Sequence, residues 1–222
     1  LTSETQNVLA YGAISGTLYA QDNVPATQGN MTLFRITSSA YDTIAVNDVS
    51  ENGTFFFDKV VLDDYQLLGF ADTLAHEGSI PTYYKNTIFW EEADTLFVED
   101  NIDSLSIVTT VEPGPPTGHG VISGYLEEDD GTGGRTEEPY APKRVSGAGV
   151  SARRVENTGR GKEEEILTLV SYVFTNENGE FSLNNLPEGD YRLNIQYPGY
   201  PMDETSFITI SIGTGFESQV SV

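Results

Sequence analysis

The most informative stretch of this sequence is Glu51-Asn52-Gly53-Thr54-Phe55, which recurs as Glu177-Asn178-Gly179-Glu180-Phe181. Asn-Gly between alternating apolar residues predicts a tight hairpin, because both residues tolerate the positive φ that the two central turn positions require. A second pair, Asp64-Tyr65-Gln66-Leu67 and Asp190-Tyr191-Arg192-Leu193, keeps the same offset (179 − 53 = 126 and 191 − 65 = 126). We therefore expect two related β-units, with structural turns at Asn52, Gly53, Asn178 and Gly179.

The first strand of each unit is also recognisable. Ala13-Ile14-Ser15-Gly16-Thr17-Leu18 corresponds to Val121-Ile122-Ser123-Gly124-Tyr125-Leu126, at an offset of 122 − 14 = 108. The two offsets differ by 126 − 108 = 18 residues, so the second unit contains an insertion of that length. The acidic, glycine-rich segment from Glu127 to Lys143 is the expected place for it.

Further strands are predicted where β-branched and aromatic residues alternate with polar ones. The candidates are Met31–Thr37, Thr43–Asn47, Leu105–Val111, Gly149–Glu156, Ile166–Thr175 and Phe207–Ile212. Six or seven short strands in each unit predict an all-β sandwich. In the first unit, the apolar spacing between Thr87 and Leu96 predicts one short helical turn.

A proline-rich segment, Glu112-Pro113-Gly114-Pro115-Pro116-Thr117-Gly118, lies between the two units. Consecutive prolines favour an extended, semi-rigid connector. The predicted organisation is a first β-sandwich module at 1–112, a linker at 113–118 and a second β-sandwich module at 119–222. We expect the linker to set the angle between the modules.

Composition excludes several classes of protein. The 34 acidic and 11 basic residues give a formal charge of −23, which repels nucleic acid and anionic membrane surfaces. No apolar run approaches the roughly 18 residues of a spanning helix, so membrane insertion is not expected. The N-terminus lacks a signal-peptide pattern, which suggests a mature or excised fragment. The absence of cysteine excludes disulfides and thiolate metal sites.

No catalytic set is visible. The two histidines, His76 and His119, fall in different predicted modules, and the sequence contains no Gly-x-Ser-x-Gly nucleophile elbow. Dense carboxylate runs occur at Glu91-Glu92, at Glu127–Asp130 and at Glu163–Glu165. Paired carboxylates serve glycoside hydrolysis in some enzymes, but adjacent acids in loops are more often solvated surface charge. We expect a chain that is not an enzyme.

Two candidate binding sites remain. The densest aromatic group, with Tyr83, Tyr84 and Trp90, is a candidate ligand platform for sugars or proteins, although the same side chains could simply close the edge of the first sandwich. Asp129 and Asp130 are candidate calcium ligands, but their spacing lacks the Asp-x-Asp-x-Asp-Gly order of a strong calcium loop. No cofactor is required, and calcium is the one metal that these carboxylates suggest.

The order of these elements resembles that of carboxypeptidase-regulatory-like and Cna-type B modules, which are transthyretin-like sandwiches. Asn185-Leu186-Pro187-Glu188-Gly189-Asp190-Tyr191 is similar to the turn of that family. Ile80–Thr87, followed by Trp90 and Ala93, resembles a pattern in large cell-surface proteins of the Bacteroidota exported by the type IX route. The resemblance implies two tandem Ig-like or transthyretin-like β-sandwich modules.

One feature departs from the Cna-type pattern. Those modules often carry a Lys–Asn crosslink with the lysine on the first strand, whereas neither Gly12–Tyr19 nor Gly120–Leu126 contains a lysine. We therefore expect no such crosslink.

Together these observations predict non-catalytic structural or adhesive modules of a large secreted bacterial surface protein, such as a stalk or an adhesin for gliding or attachment. The expected location is extracellular, on the bacterial cell surface. The expected partners are neighbouring modules of the same chain and surface glycans or proteins. The alternative is a carbohydrate-binding or accessory module of an extracellular enzyme.

Overall fold

A computed structural model describes residues 10–21, 23–38, 41–114, 116–128, 143–156, 166–200, 209–213 and 217–219. The chain divides into two compact units, Leu1–Val111 and Glu112–Val222. The predicted all-β fold is confirmed. Within the described residues, the single helical segment is a 3₁₀ turn at Trp90–Glu92, inside the stretch where a short helical turn was predicted.

The first unit contains eleven strands among its described residues. They are β1 (Tyr11–Gln21), β2 (Val24–Pro25), β3 (Gly29–Ile36), β4 (Tyr41–Asp48), β5 (Thr54–Val61), β6 (Asp64–Ala71), β7 (Ser79–Ile80), β8 (Thr82–Tyr83), β9 (Leu96–Phe97), β10 (Ile102–Val108) and β11 (Thr110–Val111). One sheet is centred on β1, which pairs antiparallel with β2 and β5 and parallel with β10. The other has the order β4-β3-β6-β8, with β9 also on β6, while β7 and β11 form a separate ladder.

The core of this unit lies between its two sheets. Strand residues alternate between the two faces of a sheet, so every second side chain points inward. Buried side chains come from β1, β5 and β10 on one side and from β3 and β6 on the other: Ile14, Leu18, Phe55, Phe57 and Ile107 face Met31, Leu33, Tyr65 and Leu67. The unit is therefore a β-sandwich.

The second unit contains nine strands among its described residues. They are β12 (Gly120–Tyr125), β13 (Glu127–Glu128), β14 (Lys143–Arg144), β15 (Gly149–Glu156), β16 (Ile166–Phe174), β17 (Glu180–Leu186), β18 (Gly189–Gln196), β19 (Thr209–Ile212) and β20 (Glu217–Gln219). Its sheets have the orders β17-β12-β20 and β16-β15-β18-β19, and β13 pairs with β14. Ile122, Phe181 and Leu183 meet Val150, Tyr191 and Leu193 in a core of its own.

The pairing of the main strands is the same in both units. β1 and β12 each pair antiparallel with the strand after the Asn-Gly turn and parallel with a late strand, β10 or β20. β3 and β15 each lie between the strand before that turn and the tyrosine strand. The sequence repeat thus corresponds to a repeated strand arrangement.

The Asn-Gly turns are tight, but the prediction of a hairpin is wrong. Each turn joins strands of different sheets: β4 to β5 in the first unit and β16 to β17 in the second. Only the glycines, Gly53 and Gly179, have positive φ, at 72° in both cases, so the expectation for the asparagines is also wrong. The amide of Gly53 donates to the carbonyl of Ser50, which makes a four-residue turn ending in a left-handed glycine.

The residue before each turn holds it in place with its side chain. The Ser50 hydroxyl accepts hydrogen bonds from the amides of Asn52 and Thr54 at 3.3 and 3.1 Å. The Asn176 side-chain oxygen accepts from the amides of Asn178 and Glu180, both at 2.9 Å. One backbone hydrogen bond also closes each turn, from the Ser50 amide to the Thr54 carbonyl and from the Asn176 amide to the Glu180 carbonyl, both at 2.9 Å. These local contacts stabilise the turn without a continued ladder between the two strands, so the chain can change sheets here.

The boundary between the units falls after Val111. Glu112 accepts a hydrogen bond from the amide of Tyr172 at 2.9 Å, and the amide of Gly118 donates to the carbonyl of Asn185 at 2.6 Å. Two residues of the proline-rich segment are therefore attached to the second unit.

Candidate functional site

The candidate metal and catalytic residues do not converge in the part of the chain that the structure describes. No group of three or more His, Asp or Glu side chains in those ranges is arranged to hold a metal ion. The two predicted calcium ligands, Asp129 and Asp130, lie outside the described residues. His119 is exposed, whereas the Nε2 of His76 accepts a hydrogen bond from the Thr27 amide at 3.0 Å and so anchors a loop.

The structure does not bring Tyr83, Tyr84 and Trp90 together as one platform. Tyr83 is only 3% exposed, on the outer side of its sheet, and Tyr84 packs against the core between the sheets. Consecutive residues of an extended chain point to opposite faces, so these two tyrosines cannot present their rings to the same ligand. Trp90 is half-buried. The predicted platform is therefore wrong for Tyr83, while Trp90 keeps an accessible part.

Trp90 belongs instead to an aromatic cluster that covers the outer face of the second sheet in the first unit. Tyr41 stacks on Phe34 with ring centroids 4.9 Å apart, and Trp90 packs on Tyr41 at 5.2 Å. Tyr83 lies 6.5 Å from Phe34. This arrangement agrees with the second interpretation of these aromatics, in which they close the sandwich.

A buried glutamine connects this cluster to the 3₁₀ turn. The Tyr41 hydroxyl donates to the side-chain oxygen of Gln66 at 2.6 Å, and the Gln66 amide donates to the carbonyls of Trp90 and Ala93. Burial raises the pKa of the Tyr41 hydroxyl well above its ordinary value. The hydroxyl is therefore neutral and donates its hydrogen bond to Gln66, which links the aromatic cluster to the 3₁₀ turn.

The best-formed candidate site lies in the second unit, at the base of the insertion. β13 and β14 begin and end the inserted segment, and both of their cross-strand pairs are ion pairs. Lys143 Nζ lies 3.0 Å from Glu128 Oε2, and Arg144 lies 3.3 Å from Glu127 Oε1. The Arg144 guanidinium also lies 3.6 Å above the ring of Tyr125. Opposite charges directly across a ladder support its register.

Two tyrosines complete a cleft of about 570 Å³ beside this ladder. Tyr197 and Tyr200 are held by a turn through Gly199, with ring centroids 5.3 Å apart, and Tyr200 is 54% exposed. The Tyr200 hydroxyl donates to Glu128 Oε1 at 3.1 Å. Hydrogen bonds from Lys143 and Tyr200 hold the pKa of the Glu128 carboxyl below its ordinary value, so it is ionised at neutral pH.

This cleft combines aromatic faces with a fixed carboxylate and two cations, which suits a ligand that has both apolar faces and hydroxyl groups. Our sequence interpretation missed Tyr197 and Tyr200. The signal was Tyr197-Pro198-Gly199-Tyr200, a turn sequence that places an aromatic residue on each side.

The C-terminal part of the chain matches a known family. Residues 140–222 match the family model described as the carboxypeptidase regulatory-like domain. The match covers less than half of the chain, and it agrees with the resemblance inferred from Asn185–Tyr191. A search of curated proteins finds no match.

Solved structures with some similarity come from bacterial proteins. They include the TIE protein of Bacillus anthracis (15% identity, TM-score 0.33), a streptococcal ancillary pilin (15%, 0.32) and GBS52, the minor pilin of Streptococcus agalactiae (11%, 0.32). These matches cover 96%, 98% and 95% of this chain, and 34%, 63% and 94% of the respective structures. The values are too low to assign a function.

The described residues include no helix with the length and apolar character needed to cross a membrane.

Proposed function

We propose that this chain forms non-catalytic structural and adhesive modules of a large secreted bacterial cell-surface protein, as part of a stalk or an adhesin used in gliding or attachment. The observation that carries this proposal is the repeated framework. Each unit has its own core and the same main strand pairings, with equivalent side chains holding the same turn. A series of small closed sandwiches is suited to spanning distance and bearing load.

The charge is compatible with an extracellular location, because a formal charge of −23 favours solubility at high local density. The match to the carboxypeptidase regulatory-like domain agrees with a modular protein. We propose export by the type IX route in the Bacteroidota, with neighbouring modules and surface glycans or proteins as partners.

Pulling a single chain from both ends tests the structural role directly. Two separate unfolding events are expected, because each sandwich has its own core. Each event should lengthen the chain by about 35 nm, since roughly 110 residues extend by about 3.5 Å each, to about 38 nm, and the folded unit already spans a few nanometres. Gradual extension at low force would contradict a load-bearing role. Turnover of a glycoside or peptide by the pure chain would contradict the non-catalytic part.

The cleft in the second unit favours a second candidate function, a carbohydrate-binding or accessory module of an extracellular enzyme. Binding of the full chain to a glycan array tests it. Tyr200→Ala should abolish such binding if the cleft is the site, whereas Trp90→Ala should abolish it if the remaining exposed part of the aromatic group is the site. Circular dichroism of both variants checks that the fold is intact. Binding that survives both changes would contradict both sites.

Calcium binding by the carboxylates remains part of the proposal, with Asp129 and Asp130 as the candidate ligands. A ligand of the folded state raises the unfolding temperature by mass action. Thermal unfolding with calcium and with excess chelator should differ by several degrees if the metal binds. Equal unfolding temperatures would indicate that the carboxylates are surface charge. The double variant Asp129→Asn, Asp130→Asn should lose the calcium effect if these two residues, and not other acids, are the ligands.

A further inference from the structure

The two Asn-Gly turns combine a chemically reactive sequence with a backbone that is held in place. Asparagine is a thermolabile residue, and it reacts most readily before glycine, which has no side chain to obstruct attack by its own amide nitrogen. Asn52 and Asn178 are the two asparagines of this sequence that precede a glycine. Both side chains are exposed, so the turns are candidate sites of covalent modification.

The reaction at such a site consumes only water. The glycine nitrogen attacks the side-chain carbonyl carbon of the asparagine, its proton passes to the departing amino group, and ammonia leaves a cyclic imide. Water then breaks one of the two bonds between the imide nitrogen and its carbonyl carbons. Breaking the bond to the side-chain carbon gives aspartate. Breaking the bond to the main-chain carbon gives isoaspartate, in which the backbone runs through the side chain and is one methylene group longer.

The folded turns hold the attacking nitrogen in a hydrogen bond. The amide of Gly53 donates to the carbonyl of Ser50 at 2.8 Å, and the amide of Gly179 donates to the carbonyl of Asn176 at 2.9 Å. Cyclisation requires that this amide lose its proton and turn toward the asparagine side chain. The hydrogen bond must therefore break before the reaction can begin.

Each glycine is also held through its carbonyl group. The amide of Leu18, in β1, donates to the Gly53 carbonyl at 2.8 Å, and the amide of Leu126, which follows β12, donates to the Gly179 carbonyl at 2.9 Å. Both glycines are buried, although the asparagines before them are exposed. A turn can therefore rearrange only when its contact with the first strand of the unit opens, which requires local or complete unfolding of that unit.

We propose that Asn52 and Asn178 are modification sites that react with water when their unit unfolds and are closed to it in the folded state, and that isoaspartate at either position prevents that unit from refolding. The added methylene group moves the glycine away from the carbonyl and the amide that hold it. Each turn thereby makes prolonged unfolding of its unit irreversible. This inference does not depend on the proposed function.

The two turns are closed to different degrees. In the first, the Ser50 hydroxyl accepts from the amides of Asn52 and Thr54 at 3.3 and 3.1 Å. In the second, the Asn176 side-chain oxygen accepts both equivalent hydrogen bonds at 2.9 Å. Longer hydrogen bonds are weaker, so the first turn opens more readily. In the folded chain, Asn52 should therefore react faster than Asn178.

Peptide mapping by mass spectrometry, after incubation of the full chain at mildly alkaline pH, tests the closed state. Both asparagines should react more slowly in buffer than in denaturant, by roughly tenfold or more. Ser50→Ala should speed the reaction at Asn52 in buffer by roughly three- to tenfold, the effect of losing about one hydrogen bond, and should leave Asn178 unchanged. Asn176→Ala should do the reverse, so each variant is the control for the other.

Calorimetry of the modified chain tests the block to refolding. Chains with isoaspartate at position 52, separated by chromatography after incubation in denaturant, should regain the second unit's unfolding transition and not the first. Asn52→Asp introduces the same carboxylate on an ordinary backbone and should keep both transitions. This control separates the effect of the added methylene group from that of the added charge.

Three results would overturn the proposal. Equal reaction rates in buffer and in denaturant would show that the folded turns do not protect the asparagines, whatever the variants do. Recovery of both transitions by the isoaspartate chain would show that the longer backbone still fits the turn. Loss of the first transition in Asn52→Asp would assign the block to charge.

Discussion

In the first unit the hydroxyl of Tyr65 donates to the carbonyl of Val61 at 2.8 Å, and in the second Tyr191 donates to the carbonyl of Pro187 at 2.7 Å. Both tyrosines are buried, and both bonds reach back four residues across the bend before the strand. This is the tyrosine corner of β-sandwiches. The residues that fix the backbone path thus recur at the same offset in both units.

The outer faces of the same sheets differ. Phe34 lies opposite Gln66 in the first unit, under the aromatic cluster with Tyr41 and Trp90. The equivalent pair in the second unit is Arg153 opposite Arg192. The second unit also carries the insertion ladder and its tyrosine cleft. Residues that fix the backbone path are repeated in both units, whereas residues on the outer faces differ. Binding functions are therefore expected on the outer faces and in the insertion.

The largest effect is expected from matched core variants. Ile14 and Ile122 are equivalent and fully buried, so Ile14→Ala and Ile122→Ala should each destabilise by about 2–5 kcal/mol. Because each unit has its own core, calorimetry should show that each variant lowers only its own unit's transition. A shift of both transitions by one variant would show that the units unfold together. Leu74→Ala, at an exposed loop position, is the control.

The turns give the next largest effect and separate glycine from asparagine. Gly53→Ala and Gly179→Ala force an alanine into the left-handed region, at about 1–2 kcal/mol each. A Cβ at Gly53 would collide with the carbonyl oxygen of Leu18, and one at Gly179 would lie 2.8 Å from that of Leu126, so both costs should exceed the backbone term.

The matched asparagine variants complete this test. Asn52→Ala and Asn178→Ala should change the free energy of unfolding by less than about 0.5 kcal/mol, because neither residue has positive φ. Chemical denaturation of all four variants measures the difference. A large loss of unfolding free energy in the asparagine variants would contradict the observed turn and support a two-residue hairpin instead.

The tyrosine corners come third. Tyr65→Phe and Tyr191→Phe keep the ring and remove one hydrogen bond, so each should cost about 1 kcal/mol. The two losses should be equal within error if the corners do the same job. The unfolding transitions of the two units allow this comparison within one molecule. A loss of stability at only one corner would show that the two tyrosines have different roles despite their shared geometry.

Much of this framework could be predicted from the sequence, because its signals are local. Asn-Gly required a turn, and alternation on either side of Tyr191 required a strand with one buried face. The first strands could be recognised because Ile14 and Ile122 occur in nearly the same sequence motif. The insertion between Glu127 and Lys143 followed from the difference between two offsets.

Other features depend on partners that local sequence does not specify. A turn at Asn52-Gly53 does not say whether the next strand pairs with the previous one or crosses to the other sheet, and here it crosses. The grouping of Tyr83 with Tyr84 failed because adjacent residues point to opposite faces. The cleft escaped notice because Tyr200 and Glu128 are 72 residues apart and meet only through folding.

The smallest effect appears only in alkali and comes from two partly buried tyrosines. Burial raises the pKa of both Tyr41 and Tyr172 above the ordinary value of 10.0. In the unfolded chain these hydroxyls ionise above about pH 10, while the folded state keeps them neutral. The unfolded state therefore loses protons first, and stability is constant below pH 10 and falls as pH rises beyond it.

Phenylalanine variants assign this loss to each unit. Tyr41→Phe should remove part of the alkaline decline from the first unit's transition only, and Tyr172→Phe from the second unit's transition only. Calorimetry between pH 8 and pH 11 measures both, with absorbance of tyrosinate recording the ionisation. An alkaline decline that is unchanged in both variants would mean that these hydroxyls ionise as readily in the folded chain as in the unfolded one. For Tyr41, that result is incompatible with its hydrogen bond to the buried Gln66.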